Sequence, residues 1–419
     1  MKSTSSEILG IFKNFFNIGL FQAASMLLQL LVVPIIIRQY GLEVFGEITL
    51  STSIAYLLAN LINYGTNQTA IKQVAINKEN SSALSCIFSE IFQIRTLIFI
   101  LIFSMLVFVQ ALSINTGISL FLWLSILPIL LAEIFNPLYF LLGIEKVQWI
   151  SWGNVIAKCL SLILLLVVSI QQNSAIIINL FVGLPLLLLY VTFFIIAIKK
   201  YRLSIEISSI DLLKNKFIQN FFVTFNGSVV MMQQSIFLFF VAGSSSPAML
   251  GAYGVIDKLL NATRQIVSYF STSIYPKASI LFNSGVGYWK SLRKKIQVLY
   301  TLGSVLTAII IFIFSDQIVL LITKSNDQLT KEYLQLFALA PLFLSLNANN
   351  FLDLLLMEDY VRIFYISLCL LLATMLLSLF ITSSYFQFSL GWYPVLMEAA
   401  CLCIYLIFNR KLLSSSPVS

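Results

Sequence analysis

Residues 175–202 read AIIINLFVGLPLLLLYVTFFIIAIKKYR. Nothing in 175–197 is charged, and the basic residues Lys199, Lys200 and Arg202 follow at once. About 20 such residues span the hydrocarbon of a bilayer. Backbone groups there have no water to bond, so the run must be a helix, with its basic end in the aqueous phase. The same pattern recurs along the chain. Twelve segments have the required length and apolarity, at about 15–37, 46–64, 86–109, 119–142, 149–170, 175–197, 217–242, 248–275, 297–315, 331–352, 361–382 and 390–409. Sustained strand alternation is found nowhere, which excludes a membrane β-barrel.

The totals agree. Of 419 residues, 59% are hydrophobic and 10% charged, where a soluble domain carries about 25% charged. Mean hydropathy is +0.95. Residues 1–14 lack the apolar core and small-residue cleavage site of a leader, so none is expected. Histidine is absent, which removes imidazole acid–base chemistry, histidine metal sites and Ser-His-Asp triads. The five cysteines lie in apolar runs without a C-x-x-C pair and read as small buried hydrophobes. Neither metal nor cofactor is expected.

Charge sets the topology. With the N-terminus inside, 19 of the 25 Lys and Arg fall on the cytoplasmic side, Arg95 counted among them. Three (Arg38, Lys324, Lys331) fall outside, and Lys158, Lys258 and Arg264 lie within spans. Both termini are therefore expected in the cytoplasm. The net charge of +8 is mostly this asymmetry, and no nucleic-acid partner is expected. The polar stretch 198–216 separates six spans from six, giving an N-terminal bundle over 1–200, a cytoplasmic linker over 201–216 and a C-terminal bundle over 217–419. Equal halves suggest duplication, with Phe45-Gly46 and Leu250-Gly251 each opening the second helix of its half.

Polar residues inside spans are costly and mark function. In the eighth span Gly254, Lys258, Asn261, Gln265, Ser268, Thr272 and Tyr275 recur at steps of 4, 3, 4, 3, 4 and 3, which is one helix face. Asp257, Arg264 and Ser271 flank it. Such a face must meet protein or a water-filled cavity. Asp257 and Arg264 could neutralise each other, but two cations against one acid favour a cationic cavity and an anionic substrate. Lys158, deep in the fifth span, needs a partner or water, and Glu133 is its nearest candidate in sequence. Gln22 in the first span and Asn226 and Gln233 in the seventh read as cavity-lining or as interhelical hydrogen bonds. Glu133, Asp257 and Glu398 are candidates for proton or sodium coupling, or for structural ion pairs.

Pro34, Arg38, Gly41, Phe45 and Gly46 form a P-x-x-x-R-x-x-G-x-x-x-[FY]-G element. With Pro137-Leu138-Tyr139 leading to Gly143-Ile144-Glu145-Lys146, and with Gly251, Tyr253, Lys258 and Pro276, it resembles Wzx-type polysaccharide flippases of the multidrug/oligosaccharidyl-lipid/polysaccharide (MOP) exporter superfamily. Asn63 and Lys72 depart from the acid and arginine more usual there. The resemblance implies an all-α fold of twelve helices in two six-helix bundles forming a V, as in MATE transporters. It implies no enzyme but an alternating-access flippase in the bacterial inner membrane. Undecaprenyl-pyrophosphate-linked O-antigen or capsule units would cross there, driven by a proton or sodium gradient, with a polymerase and a chain-length regulator as possible partners. Lys258, Arg264 and Lys158 would then meet pyrophosphate or acidic sugar, and Asn226, Gln233, Asn261, Gln265 and Gln22 sugar hydroxyls. A multidrug exporter would want an acid in helix one, which is missing. An O-antigen polymerase would want a large exported loop, also missing.

Overall fold

The structure, a computed structural model, describes residues 3–111, 120–167, 174–357, 359–383 and 389–409. The side chains of 3–23 and of scattered positions, Gln22, Asn226, Thr272 and Pro276 among them, lie outside that description. Every regular element among the described residues is a helix. In order they are α1 (Ser3–Asn63), α2 (Thr66–Ile76), α3 (Ser81–Ala111), α4 (Leu120–Ser125), α5 (Leu127–Ile134), α6 (Leu138–Gly143), α7 (Val147–Val167) and α8 (Ser174–Tyr201). There follow α9 (Ile210–Ser244), α10 (Pro247–Ser284), α11 (Val286–Ile313), α12 (Ser315–Thr323), α13 (Gln328–Phe337), α14 (Ala340–Leu356), α15 (Tyr360–Thr382) and α16 (Trp392–Asn409).

Nine stretches among the described residues are long and apolar enough to cross a membrane. The first, Ala24–Ile76, covers two of the expected spans. Within it α1 breaks at Gly41, whose φ of +86° only glycine adopts at little cost. Pro34 stays inside the helix. The expected fourth span is three pieces, α4 to α6, with Asn136-Pro137 separating α5 from α6. The tenth is α13 and α14. α11 starts at Val286 rather than 297, because Trp289 and Ile296 are buried in its first turns. The cysteines are free but not buried: Cys86 and Cys403 are exposed and the other three half-buried.

The chain forms two compact units, Met1–Ile35 with Glu47–Ser235, and Ile36–Gly46 with Ile236–Ser419. In the first unit Phe88 packs on Phe194 and Phe140 with ring centroids 4.7 and 5.7 Å apart. A Cβ on Gly143 would lie 2.6 Å from Val74, so this glycine is what lets α6 approach α2.

Arg95 corrects the charge count: it is no loop cation but lies in α3 with no exposed surface. Its guanidinium donates to the carbonyls of Glu133 (3.0 Å) and Asn136 (2.7 Å), at the break after α5. It also donates to Thr66 Oγ1 (2.7 and 2.9 Å) and Asn67 Oδ1 (2.9 Å), at the start of α2. The Tyr139 ring lies under it, 5.3 Å away. One side chain thus satisfies the carbonyls stranded by the break after α5 and links them to the start of α2.

The segment 203–209 is extended and lies along α3. Ser85 Oγ accepts from Ser204 N (3.1 Å). Ser89 donates to the Ser204 carbonyl (3.1 Å) and accepts from Glu206 N (3.0 Å). Gln93 donates to the Glu206 carbonyl (2.6 Å) and accepts from Ser208 N (3.0 Å). Four helical residues rise about 6.0 Å and two extended ones about 6.6 Å, so each successive turn of α3 meets every second residue of the segment. Lys216, in α9, adds an ion pair to Glu90 at 3.3 Å and a hydrogen bond to Gln73.

In the second unit the paired dipeptides of the sequence meet. A Cβ on Gly46 would lie 2.8 Å from Gly251 N, and one on Gly251 only 1.9 Å from the Leu42 carbonyl oxygen. Arg38 donates to the Leu321 carbonyl of α12. Trp289, Arg293 and Gln297, four apart on α11, bond to Asp353 (2.9 Å), Asp353 and Asn350 (2.8 and 3.1 Å), and the Ser345 carbonyl (3.1 Å) of α14.

Two outcomes follow. Arg95→Met should destabilise the purified protein by about 3–5 kcal/mol, since it leaves buried acceptors without donors, and the fall should be visible in the thermal midpoint. Arg95→Lys should recover part of it, because an ammonium lacks the fork that reaches both sites. Gly251→Ala should abolish accumulation of folded protein, whereas Gly303→Ala, with nothing within 4 Å, should be neutral or mildly stabilising. Equal yields of the two would refute the close crossing.

Candidate functional site

The polar residues of α10 sort onto two faces. Asp257, Arg264 and Ser271, seven apart, turn into the second unit. The Arg264 guanidinium grips Glu398 of α16 through Nε (3.0 Å) and Nη2 (2.7 Å), both on Oε1. Asn347 of α14 donates to Glu398 Oε2 at 3.0 Å and to its carbonyl at 2.9 Å. Asp257 is buried and accepts from Asn261 at 3.1 Å. Ser271 is bonded to the Tyr300 hydroxyl at 2.6 Å. Asp257 and Arg264 therefore do not neutralise each other by direct contact, because each has another partner.

The other face holds Gly254, Lys258, Asn261, Gln265 and Ser268. Gly254 is buried, Lys258, Asn261 and Gln265 are half-buried, and Ser268 is exposed. Lys258 makes no ion pair or hydrogen bond among the described residues, and Gln265 accepts only a long bond from Tyr269 (3.4 Å). The Asp257 carboxylate, next to Lys258 in sequence, interacts with it only through space, and an ammonium with no hydrogen-bonded partner is available to an anion.

In the first unit Lys158 donates to the Ser25 carbonyl at 3.2 Å. It is not paired with Glu133, whose carboxylate instead accepts from Asn63 (2.5 Å) and Asn136 (3.1 Å). Glu133 thus belongs with the Arg95 cluster. Gln233 on α9 is half-buried, and the side chains of Gln22 and Asn226 lie outside the described residues. Among the described residues no group of three or more metal-ligating side chains occurs.

Sequence reading missed Arg95 and Asn347. Arg95 is the single cation in the apolar run 96–109 and its approach from 87, which was signal enough. Asn347 sits in Asn347-Ala348-Asn349-Asn350, an amide cluster in an otherwise apolar helix.

Comparison with known proteins agrees with the fold. A curated Escherichia coli (strain K12) protein named "Putative O-antigen transporter" is 21% identical over 415 residues, covering 97% of this chain and 98% of that one. Among solved structures, "Lipid II flippase MurJ, inward closed conformation" aligns at TM-score 0.75 and 16% identity, over 94% of this chain and 87% of that one. An inward-facing MATE-family transporter of the MOP superfamily aligns at 0.72 and 11% identity, over 93% and 98%. These two share the fold of this chain. The family described as "Polysaccharide biosynthesis protein" matches residues 11–282, well over half of the chain, and the protein belongs to that family.

Proposed function

We propose that the protein is a Wzx-type flippase that moves undecaprenyl-pyrophosphate-linked O-antigen or capsule repeat units from the cytoplasmic to the periplasmic leaflet of the bacterial inner membrane. It does so with twelve crossings and both termini in the cytoplasm, by alternating access. The lipid tail stays in the bilayer while the diphosphate and sugars pass along polar side chains. The observation that carries this reading is Lys258, unpaired on a face with Asn261 and Gln265, in a chain whose family is named for polysaccharide biosynthesis. A cation attracts the diphosphate, and amides match sugar hydroxyls. The full-length likeness to a protein named for O-antigen transport supports the substrate class.

Arg264 enters in a second role. While it grips Glu398 its guanidinium is committed. A diphosphate drawn to Arg264 has to displace the Glu398 carboxylate, so substrate and carboxylate compete for one guanidinium. Glu398 is also the acid that would take up the coupling ion.

Deletion of the gene should leave single repeat units on undecaprenyl pyrophosphate at the cytoplasmic face and none at the surface. Single-unit caps on surface lipid would point to a polymerase instead, and drug sensitivity with normal glycan to a small-molecule exporter. At unchanged membrane expression, the Lys258→Ala, Arg264→Ala pair should lower surface polysaccharide by at least about tenfold, as expected for removal of charge-assisted contacts of about 1.5–3 kcal/mol each. Full activity of that double variant would sink the assignment. Glu398→Gln should bind lipid-linked substrate as well as the parent protein or better, yet lose dependence of transport on the ion gradient. Retained dependence would remove Glu398 from the coupling step.

A further inference from the structure

A second basic feature lies on the surface of the first unit. The ends of α7 and α8 frame a cleft lined by Lys146, Trp149, Phe193, Ile196, Lys200 and Tyr201. The Lys200 ammonium stands 4.8 Å from the centre of the Trp149 ring. Glu145, the neighbour of Lys146 in sequence, is paired with Lys78 at 3.3 Å. Neither Lys146 nor Lys200 makes an ion pair among the described residues. Two ammonium groups therefore flank one aromatic-floored recess whose lining holds no carboxylate.

The surface leading away from the cleft is as informative. On α7, Trp149, Trp152, Ile156, Leu160, Ile163 and Val167 recur at steps of 3, 4, 4, 3 and 4, and all are exposed. On α8, Leu184, Leu188 and Ile195 are exposed in the same way. A basic, aromatic rim thus continues into an apolar track along two adjacent helices, which pack closely where a Cβ on Gly153 would strike Phe193 at 2.6 Å. A free phosphate would use only the rim. A ligand with a phosphate head and acyl chains uses both.

We infer that this cleft binds the headgroup of an anionic glycerophospholipid, with Lys146 and Lys200 on its phosphate, Trp149 at the level of the glycerol and the acyl chains along the exposed faces of α7 and α8. Basic recesses between membrane helices suit acidic lipids, and tryptophan favours the interface. The site is independent of the α10 face and does not rest on the flippase reading.

The test uses the full chain purified in detergent and examined by native mass spectrometry and thermal shift. The probes are phosphatidylglycerol, phosphatidylcholine of the same chains, inorganic phosphate and undecaprenyl phosphate. Phosphatidylglycerol should be retained and raise the midpoint. The Lys146→Ala, Lys200→Ala pair should weaken retention on the order of 20-fold, while Lys199→Ala, one position away and outside the cleft, should not. Trp149→Phe should give an intermediate loss without removing charge. Equal binding of phosphatidylcholine, equal stabilisation by inorganic phosphate, preference for undecaprenyl phosphate, or unchanged retention in the double variant would each overturn the inference. These surface substitutions leave the buried core untouched, and if the pair nonetheless fails to fold, Lys200→Ala alone gives the same readout.

Discussion

A break in a membrane helix strands carbonyls where no water reaches them, and in the first unit one guanidinium makes the break after α5 tolerable and ties it to the start of α2. Arg95 bonds the Glu133 and Asn136 carbonyls beyond α5 and the Thr66 and Asn67 side chains at the start of α2. A lysine could not do this with one point charge, and an apolar residue would leave the acceptors bare. Tyr139 beneath the guanidinium and the Asn63–Glu133–Asn136 cluster beside it are consequences of that requirement. A carboxylate within the field of a buried cation, held by two amides, costs far less than one held alone.

The second unit solves the same difficulty with pairs. Arg264 with Glu398 and Arg293 with Asp353 are each buttressed by a donor or acceptor from an asparagine, Asn347 or Asn350. The two pairs differ in setting. The Arg293–Asp353 pair is fixed further by the Trp289 indole and ties α11 to α14. The Arg264 side chain is about a third exposed, on the helix that also carries an unpaired lysine. The two pairs look alike in a sequence, and their exposure is what separates them.

The helical class and most of the long apolar stretches were legible because the hydrocarbon imposes length and apolarity on each span. So was the turn at Gly41, which takes a backbone angle that side chains resist. The sequence marks Phe45-Gly46 and Leu250-Gly251 as openings of equivalent helices, but not that their glycines approach within backbone contact. Partnering was not legible. Lys158 reaches a backbone carbonyl, which leaves no trace in residue types, and Arg264 passes over Asp257, seven residues away on its own helix, for Glu398, distant in sequence. Arg95 was misplaced because a charge count assigns cations to loops by default. Its buried role depends on carbonyls freed by a proline some forty residues later.

The segment joining α8 to α9 is commonly thought of as slack. Here Ser204, Glu206 and Ser208 are read out by Ser85, Ser89 and Gln93 through main-chain groups, while Ile205 and Ile207 point outward, Ile207 almost wholly exposed. What the helix recognises is therefore spacing and not identity. The outward side chains at 205 and 207 are free to drift, but the count of residues is not: one insertion would shift the odd-numbered amides opposite the serine hydroxyls and turn the isoleucines inward. The connection behaves as a ruler graduated in steps of two, conserving its length by the pitch of the helix it lies on.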